Sequence, residues 1–64
     1  SEKGYAARAL DLDVYIDDKP GNIIDVRTLS PRTAVYLQDR PYNQDFPYGI
    51  RVKTIEPLLA KLIE

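Results

Sequence analysis

From Leu10 to Asp17 the chain alternates without a break. Leu10, Leu12, Val14 and Ile16 fall on one side, and Asp11, Asp13, Tyr15 and Asp17 on the other. Period-two alternation is the pattern of a strand with one face in a core and the other in water. No other feature restricts the fold as tightly, because a one-residue slip in register would turn every aliphatic side chain outward. Three more stretches read as strands: Ile23 to Leu29, Thr33 to Gln38 and Tyr48 to Ile55. Asp18-Lys19-Pro20-Gly21-Asn22 and Ser30-Pro31-Arg32 separate the first three. In the first, proline presets one turn corner and glycine accepts the next, so it reads as a turn; the second, with Pro31, breaks the strand before it.

Consecutive strands joined by short turns predict an antiparallel meander. Keeping the apolar faces together pairs Ile16 with Ile24, Val14 with Val26 and Leu12 with Thr28. It sets Asp13 opposite Arg27 and Tyr15 opposite Asp25. The same rule pairs Val26 with Val35, Ile24 with Leu37, Val35 with Val52 and Leu37 with Ile50. The inner face then needs a lid. Pro57 suits the first position of a helix, and Leu58, Leu59, Leu62 and Ile63 recur at helical spacing. The expected fold is therefore mainly β: a small antiparallel four- to five-stranded meander of SH3-like barrel architecture with a short C-terminal helix over 57–63. A 3₁₀ turn running into a fifth strand is the alternative there. Residues 1–9 are expected to be a flexible lead-in, and 10–64 a single small β-rich domain.

A chain of 64 residues has room for one domain, and small domains bury a low fraction of their surface. With neither cysteine nor histidine, the sequence offers no disulfide and no ordinary zinc site. No apolar run approaches the roughly 20 residues that span a membrane, and no secretory apolar stretch is evident. A cytoplasmic location is expected. Net charge is −1, but acidic residues crowd the first third and basic residues the middle. That asymmetry either steers a charged partner or draws the two halves of the fold together.

Catalysis is hard to build from this set. The commonest general base and the best nucleophile are both missing. Ser1, Ser30, Thr28, Thr33 and Thr54 have no evident activating neighbour. Gly4, Gly21 and Gly49 are too far apart for a phosphate-cradling loop. A non-enzymatic protein with no cofactor is expected. Asp11, Asp13, Asp17 and Asp18 are the best carboxylate group for a hard cation. On a strand, however, alternate carboxylates stand about 7 Å apart and diverge into water. A solvated acidic face is the simpler reading, and no metal site is expected.

The informative constellation is basic and aromatic. Arg27, Tyr36, Arg51 and Lys53 on the outer face lie beside the 39–47 loop with Arg40, Tyr42 and Phe46, and beside Tyr48. Tyrosine and arginine are enriched at the hot spots of protein interfaces. The expected function is a binding module that contacts a protein partner through this face and loop. The alternative is a nucleic-acid-binding (DNA-binding) small barrel, in which the rings stack on bases and the cations meet phosphates. A third reading is an oligomerisation domain built on residues 55–63, with Leu58, Leu59, Leu62 and Ile63 as a homo-oligomer seam.

Overall fold

The computed structural model describes residues 2–53. Helix α1 spans Glu2–Ala9, strand β1 Val14–Asp17 and helix α2 Pro20–Leu29; strand β2 Ala34–Gln38, a 3₁₀ turn at Pro41–Asn43 and strand β3 Ile50–Val52 follow. The strands lie in the order β1-β2-β3, and both pairings are parallel.

This corrects the expected fold. The described chain is a mixed α/β unit with an open parallel sheet, not an antiparallel meander and not a small SH3-like β-barrel. Ile23 to Leu29 is helix, so the hairpin pairs Ile16–Ile24 and Val14–Val26 do not form. Val14, Tyr15, Ile16 and Asp17 instead lie beside Ala34, Val35, Tyr36 and Leu37. On the other side of β2, Tyr36, Leu37 and Gln38 lie beside Ile50, Arg51 and Val52. The physical reason is that residues 23–29 satisfy two periods at once. Ile24, Val26 and Thr28 alternate, but Ile23, Val26 and Leu29 also recur every third residue, which marks one helical face. Pro20 occupies the first turn of α2, where its missing N–H leaves nothing unpaired. What reads as a turn corner is a helix start.

The long alternating run is only half strand. Leu12 N donates to Ala7 O and Asp11 N to Arg8 O, and Asp11 has φ of 50°. That is the Schellman ending of α1, with an aspartate where glycine is usual. Leu10 therefore sits on the outside, 71% exposed, while Leu12 turns in against the core.

Helix α2 packs on one face of the sheet. Ala7, Ile23, Val26, Val35 and Leu37 form the buried cluster, with Leu12, Tyr15 and Phe46 against it. Full burial of a side chain such as Ile23, Val26 or Leu37 contributes roughly 1.5–3 kcal/mol. Helix α1 lies on α2 at close range: a Cβ at Gly4 would stand 2.5 Å from Asp25 O. Gly4 N donates to Asp25 Oδ2 at 2.7 Å, so α2 caps the helix it touches. Gly49, with φ of 81°, turns the chain into β3.

Register places Val14, Ile16, Ala34, Tyr36, Gln38, Ile50 and Val52 on the opposite face, away from α2. Among the described residues, no α-helix packs there. The expected C-terminal helix at 57–63, the alternative fifth strand and the leucine seam lie outside the described residues.

Candidate functional site

Two connections and a strand meet at the carboxyl edge of the sheet: the β1–α2 turn, the chain leaving β2, and β3 through Arg51. Asn43 joins them. It is 2% exposed, and its side chain makes all four of the hydrogen bonds an amide can make. Its Nδ2 donates to Asp18 O and Gln38 O, each at 2.9 Å. Its Oδ1 accepts from Arg40 N at 3.1 Å and Arg51 Nη1 at 3.0 Å.

Arg51 completes the stitch. Besides Asn43 Oδ1, its Nη1 reaches Asp39 Oδ1 at 2.6 Å, and its Nη2 reaches Asn43 O and Phe46 O at 3.0 and 3.1 Å. Asp39 also accepts from Gln44 Nε2 at 2.9 Å. These bonds, with Arg51, hold the Asp39 carboxyl below its ordinary range. Gln38 Nε2 donates to Lys53 O at 2.9 Å, tying the ends of β2 and β3 together.

The turn after β1 is equally well defined. Burial pushes the Asp17 carboxyl up, but hydrogen bonds from Tyr15, the Lys19 N–H and Asn22 outweigh it and lower its pKa to about 2. The distances are 2.5 Å from Tyr15 Oη, 3.0 Å from Lys19 N and 2.9 Å from Asn22 Nδ2. The same contact, behind burial as the main cause, raises the Tyr15 phenol. Tyr42 Oη donates to Asp18 Oδ2, so the 3₁₀ turn reaches across to the β1–α2 turn. That bond raises the Tyr42 phenol.

The eight residues of the predicted cluster are thus divided among different places. Arg40, Tyr42 and Arg51 gather at the carboxyl edge, and Lys53 follows β3 on the surface. Arg51 is occupied internally. Arg27, in the last turn of α2, lies over the Tyr48 ring at 4.9 Å, and Phe46 meets Tyr48 edge-on at 5.6 Å between centroids. Tyr36 lies on the sheet face away from α2. No single outer face carries all eight.

The four aspartates also separate. Asp11 and Asp13 precede β1, whereas Asp17 and Asp18 end it. Asp11 pairs with Arg32 at 3.2 Å on the surface. Among the described residues, no group of three or more carboxylates, histidines or cysteines converges to hold a metal ion. The residue that sequence reasoning missed is Asn43. Its only local sign is position: it follows Pro41 in a loop rich in turn-forming residues, as buried polar stitches of tight turns do.

Fold and site together define an α/β protein with a parallel sheet and a preformed polar edge. No family model, curated protein or solved structure matches the chain. Among the described residues, no helix is long and apolar enough to cross a membrane.

Proposed function

We propose that this chain is a binding module whose site is the carboxyl edge of its sheet. The ligand is small and polar, and the β1–α2 turn and the Arg40–Gln44 segment grip it. In open α/β sheets, ligands bind outside the carboxyl ends of the strands. The observation that carries the reading is the complete pairing of Asn43, which fixes its own loop against the β1–α2 turn and β3 before any ligand arrives. Preorganised polar groups bind with less loss of conformational freedom. Around this hub stand Asp18, Lys19, Arg40 and Lys53, which offer charges of both signs. Gly21 leaves open space at the start of α2, since a Cβ there would meet nothing within 4 Å. A cytoplasmic setting goes with this reading and rests on the cysteine-free composition.

Backbone amide shifts test it. Titration with magnesium, putrescine, inorganic phosphate and citrate should show one of them shifting residues 17–22 and 39–44 together and saturably. If none does, or if shifts appear only elsewhere, the carboxyl edge is not the site.

The opposite sheet face favours a second reading, a protein partner. Purely parallel sheets occur almost only with both faces covered. Val14, Ile16, Tyr36, Ile50 and Val52 suit an aliphatic protein surface, and Ile50 is 56% exposed. Ile50→Glu should abolish capture of such a partner while leaving the fold intact; undiminished capture would remove this face from consideration.

A further inference from the structure

Helix α1 overhangs the sheet. Asn22, Asp25 and Leu29 form one flank of α2. Asn22 Nδ2 reaches Asp17 of β1 at 2.9 Å, while Gly4 of α1 meets Asp25 and Leu29. The opposite flank carries Arg27, which lies over Tyr48 just before β3. α1 therefore stands outboard of β1, on the side away from β2. α2 packs on β1 and β2, whereas α1 packs chiefly on α2. Layered α/β folds bury a helix face against strands, and among the described residues no strand lies beneath α1.

The sheet edge on that side is unpaired. Ala34 N donates to Asp13 O at 2.9 Å, and the parallel register continues in step from Val14 to Asp17. Successive peptide groups of a strand point to opposite sides, so alternate residues bond to a given neighbour. Asp13, Tyr15 and Asp17 thus turn their main-chain groups to β2. Val14 and Ile16 turn theirs away, and these have no partner among the described residues. Both residues are half-buried, and main-chain groups removed from water without a partner are costly. Edge strands are commonly blunted by lysine, proline or a bulge. β1 has none of the three.

We propose that the free edge of β1 takes an extended segment of another polypeptide as a fourth strand, in which aliphatic residues alternate with lysine or arginine. Strand addition of this kind draws affinity from the main chain and specificity from alternate side chains. The aliphatic residues lie beside Val14 and Ile16 and widen the face away from α2. The basic residues answer the charge of this edge: Asp11, Asp13, Asp17 and Asp18 all lie on β1 or at its ends. A second copy of the chain fits poorly. Pairing β1 antiparallel with itself about Tyr15 sets Asp13 opposite a second Asp17, and like charges directly opposite destabilise a pair. This edge is separate from the carboxyl edge and from Ile50 on β3, so each site stands or falls alone.

The test uses the whole chain and three short capped peptides: one alternating lysine and valine, its glutamate–valine twin, and the lysine–valine peptide methylated on every backbone nitrogen. The first should shift the Val14 and Ile16 amides saturably and slow their exchange with solvent, while the Ile50 amide and residues 39–44 stay unmoved. The other two should bind at least tenfold more weakly, one for its charge and the other because it has no N–H to give. Ile16→Pro removes an outward N–H without touching a bond to β2, and proline is tolerated on an edge strand. It should weaken binding of the first peptide at least tenfold, and unchanged Val35 and Leu37 methyl signals establish that the variant is folded. The proposal is overturned by absence of saturable shifts at Val14 and Ile16, by equal binding of the methylated peptide, or by unaltered binding in folded Ile16→Pro. Equal or tighter binding of the glutamate peptide overturns the choice of partner chemistry. Slowed exchange of the same amides at rising protein concentration, without peptide, assigns the edge to a second copy and overturns the proposal as well.

Discussion

Arg51 Nη1 donates to Asn43 Oδ1 at 3.0 Å, and the same guanidinium binds the Asn43 carbonyl through Nη2 at 3.0 Å. One cation on β3 thereby holds both the side chain and the backbone of a buried amide eight residues earlier. Bonds to a charged donor are roughly twice as strong as neutral ones. The contact converts a loop with two prolines into a fixed wall of the carboxyl edge.

Replacing Asn43 by alanine should therefore cost about 2–4 kcal/mol of folding stability, because Asp18 O, Gln38 O and the Arg51 guanidinium lose a buried partner together. Asn43→Asp should also destabilise, since a carboxylate accepts from Arg51 but donates to neither carbonyl. Urea unfolding measures both. A loss below 0.5 kcal/mol for either variant would show that the edge is not held by this residue.

The Asp17 carboxyl predicts the acid limb of stability. Its folded pKa is about 2, against an ordinary 3.8. A carboxyl depressed by folding adds stability above pH 3.8 that is lost as the pH falls towards 2. Allowing for solvent screening of this half-exposed group, the contribution is about 1 kcal/mol. Tyr15→Phe removes the shortest of its bonds, so the acid midpoint should move to higher pH. The raised Tyr15 phenol adds stability that is present below pH 10 and lost as the pH rises past it. In the variant that alkaline loss should be absent. Denaturant midpoints from pH 2 to 11 check both limbs.

Gly4→Ala should separate the helices. The new methyl would stand 2.5 Å from Asp25 O and 2.8 Å from Leu29 Cδ1, and the first of these is backbone that cannot step aside. Overpacking of this kind costs typically 1–3 kcal/mol, against a gain of about 1 from helix propensity. Amide exchange should quicken throughout Glu2–Ala9 while Val35 and Leu37 keep their protection. Unchanged exchange in α1 would show that the helices do not meet as closely as described.

Asp11→Gly should stabilise the chain. The residue ends α1 with φ of 50°, a conformation that costs most residues roughly 1–2 kcal/mol and glycine almost nothing. The substitution sacrifices the Arg32 pair, which is exposed and worth about 0–1 kcal/mol. The net expectation is a gain of about 0.5 kcal/mol, read as a higher denaturant midpoint at constant slope. A lower midpoint would mean that the ion pair matters more than the backbone.

Much of the local structure can be read from the sequence. Val14 to Asp17, Ala34 to Gln38 and Ile50 to Val52 are strands where alternation places them, and Val35 and Leu37 point inward together. From the sequence the 39–47 loop reads as a surface for a partner. In the structure its residues are bonded to neighbouring elements: Asp39 and Asn43 to Arg51 of β3, and Tyr42 to Asp18 of the β1–α2 turn. Side-chain types show what a loop can bond, but not whether its partner is solvent, ligand or a neighbouring turn.

Read alone, the sequence places three extended segments, turns Val35 and Leu37 inward, and leaves neither cysteine nor histidine for chemistry; it also turns Val14, Ile16, Ile50 and Val52 towards the core, whereas the structure puts Tyr15 there and those four on the other face. Tertiary structure alone decided the direction of the strands. Residues 23–29 carry both a two-residue and a three-residue apolar period, and local preference does not choose between them. The choice falls to burial: as a helix the segment puts Ile23 and Val26 wholly inside, at 0% exposure, against Val35 and Leu37, and offers Gly4 and Ala7 of α1 a surface to lie on. Once that helix forms, β2 must run alongside β1, and the polar groups of the β1–α2 turn, the 39–44 segment and β3 come together at one edge.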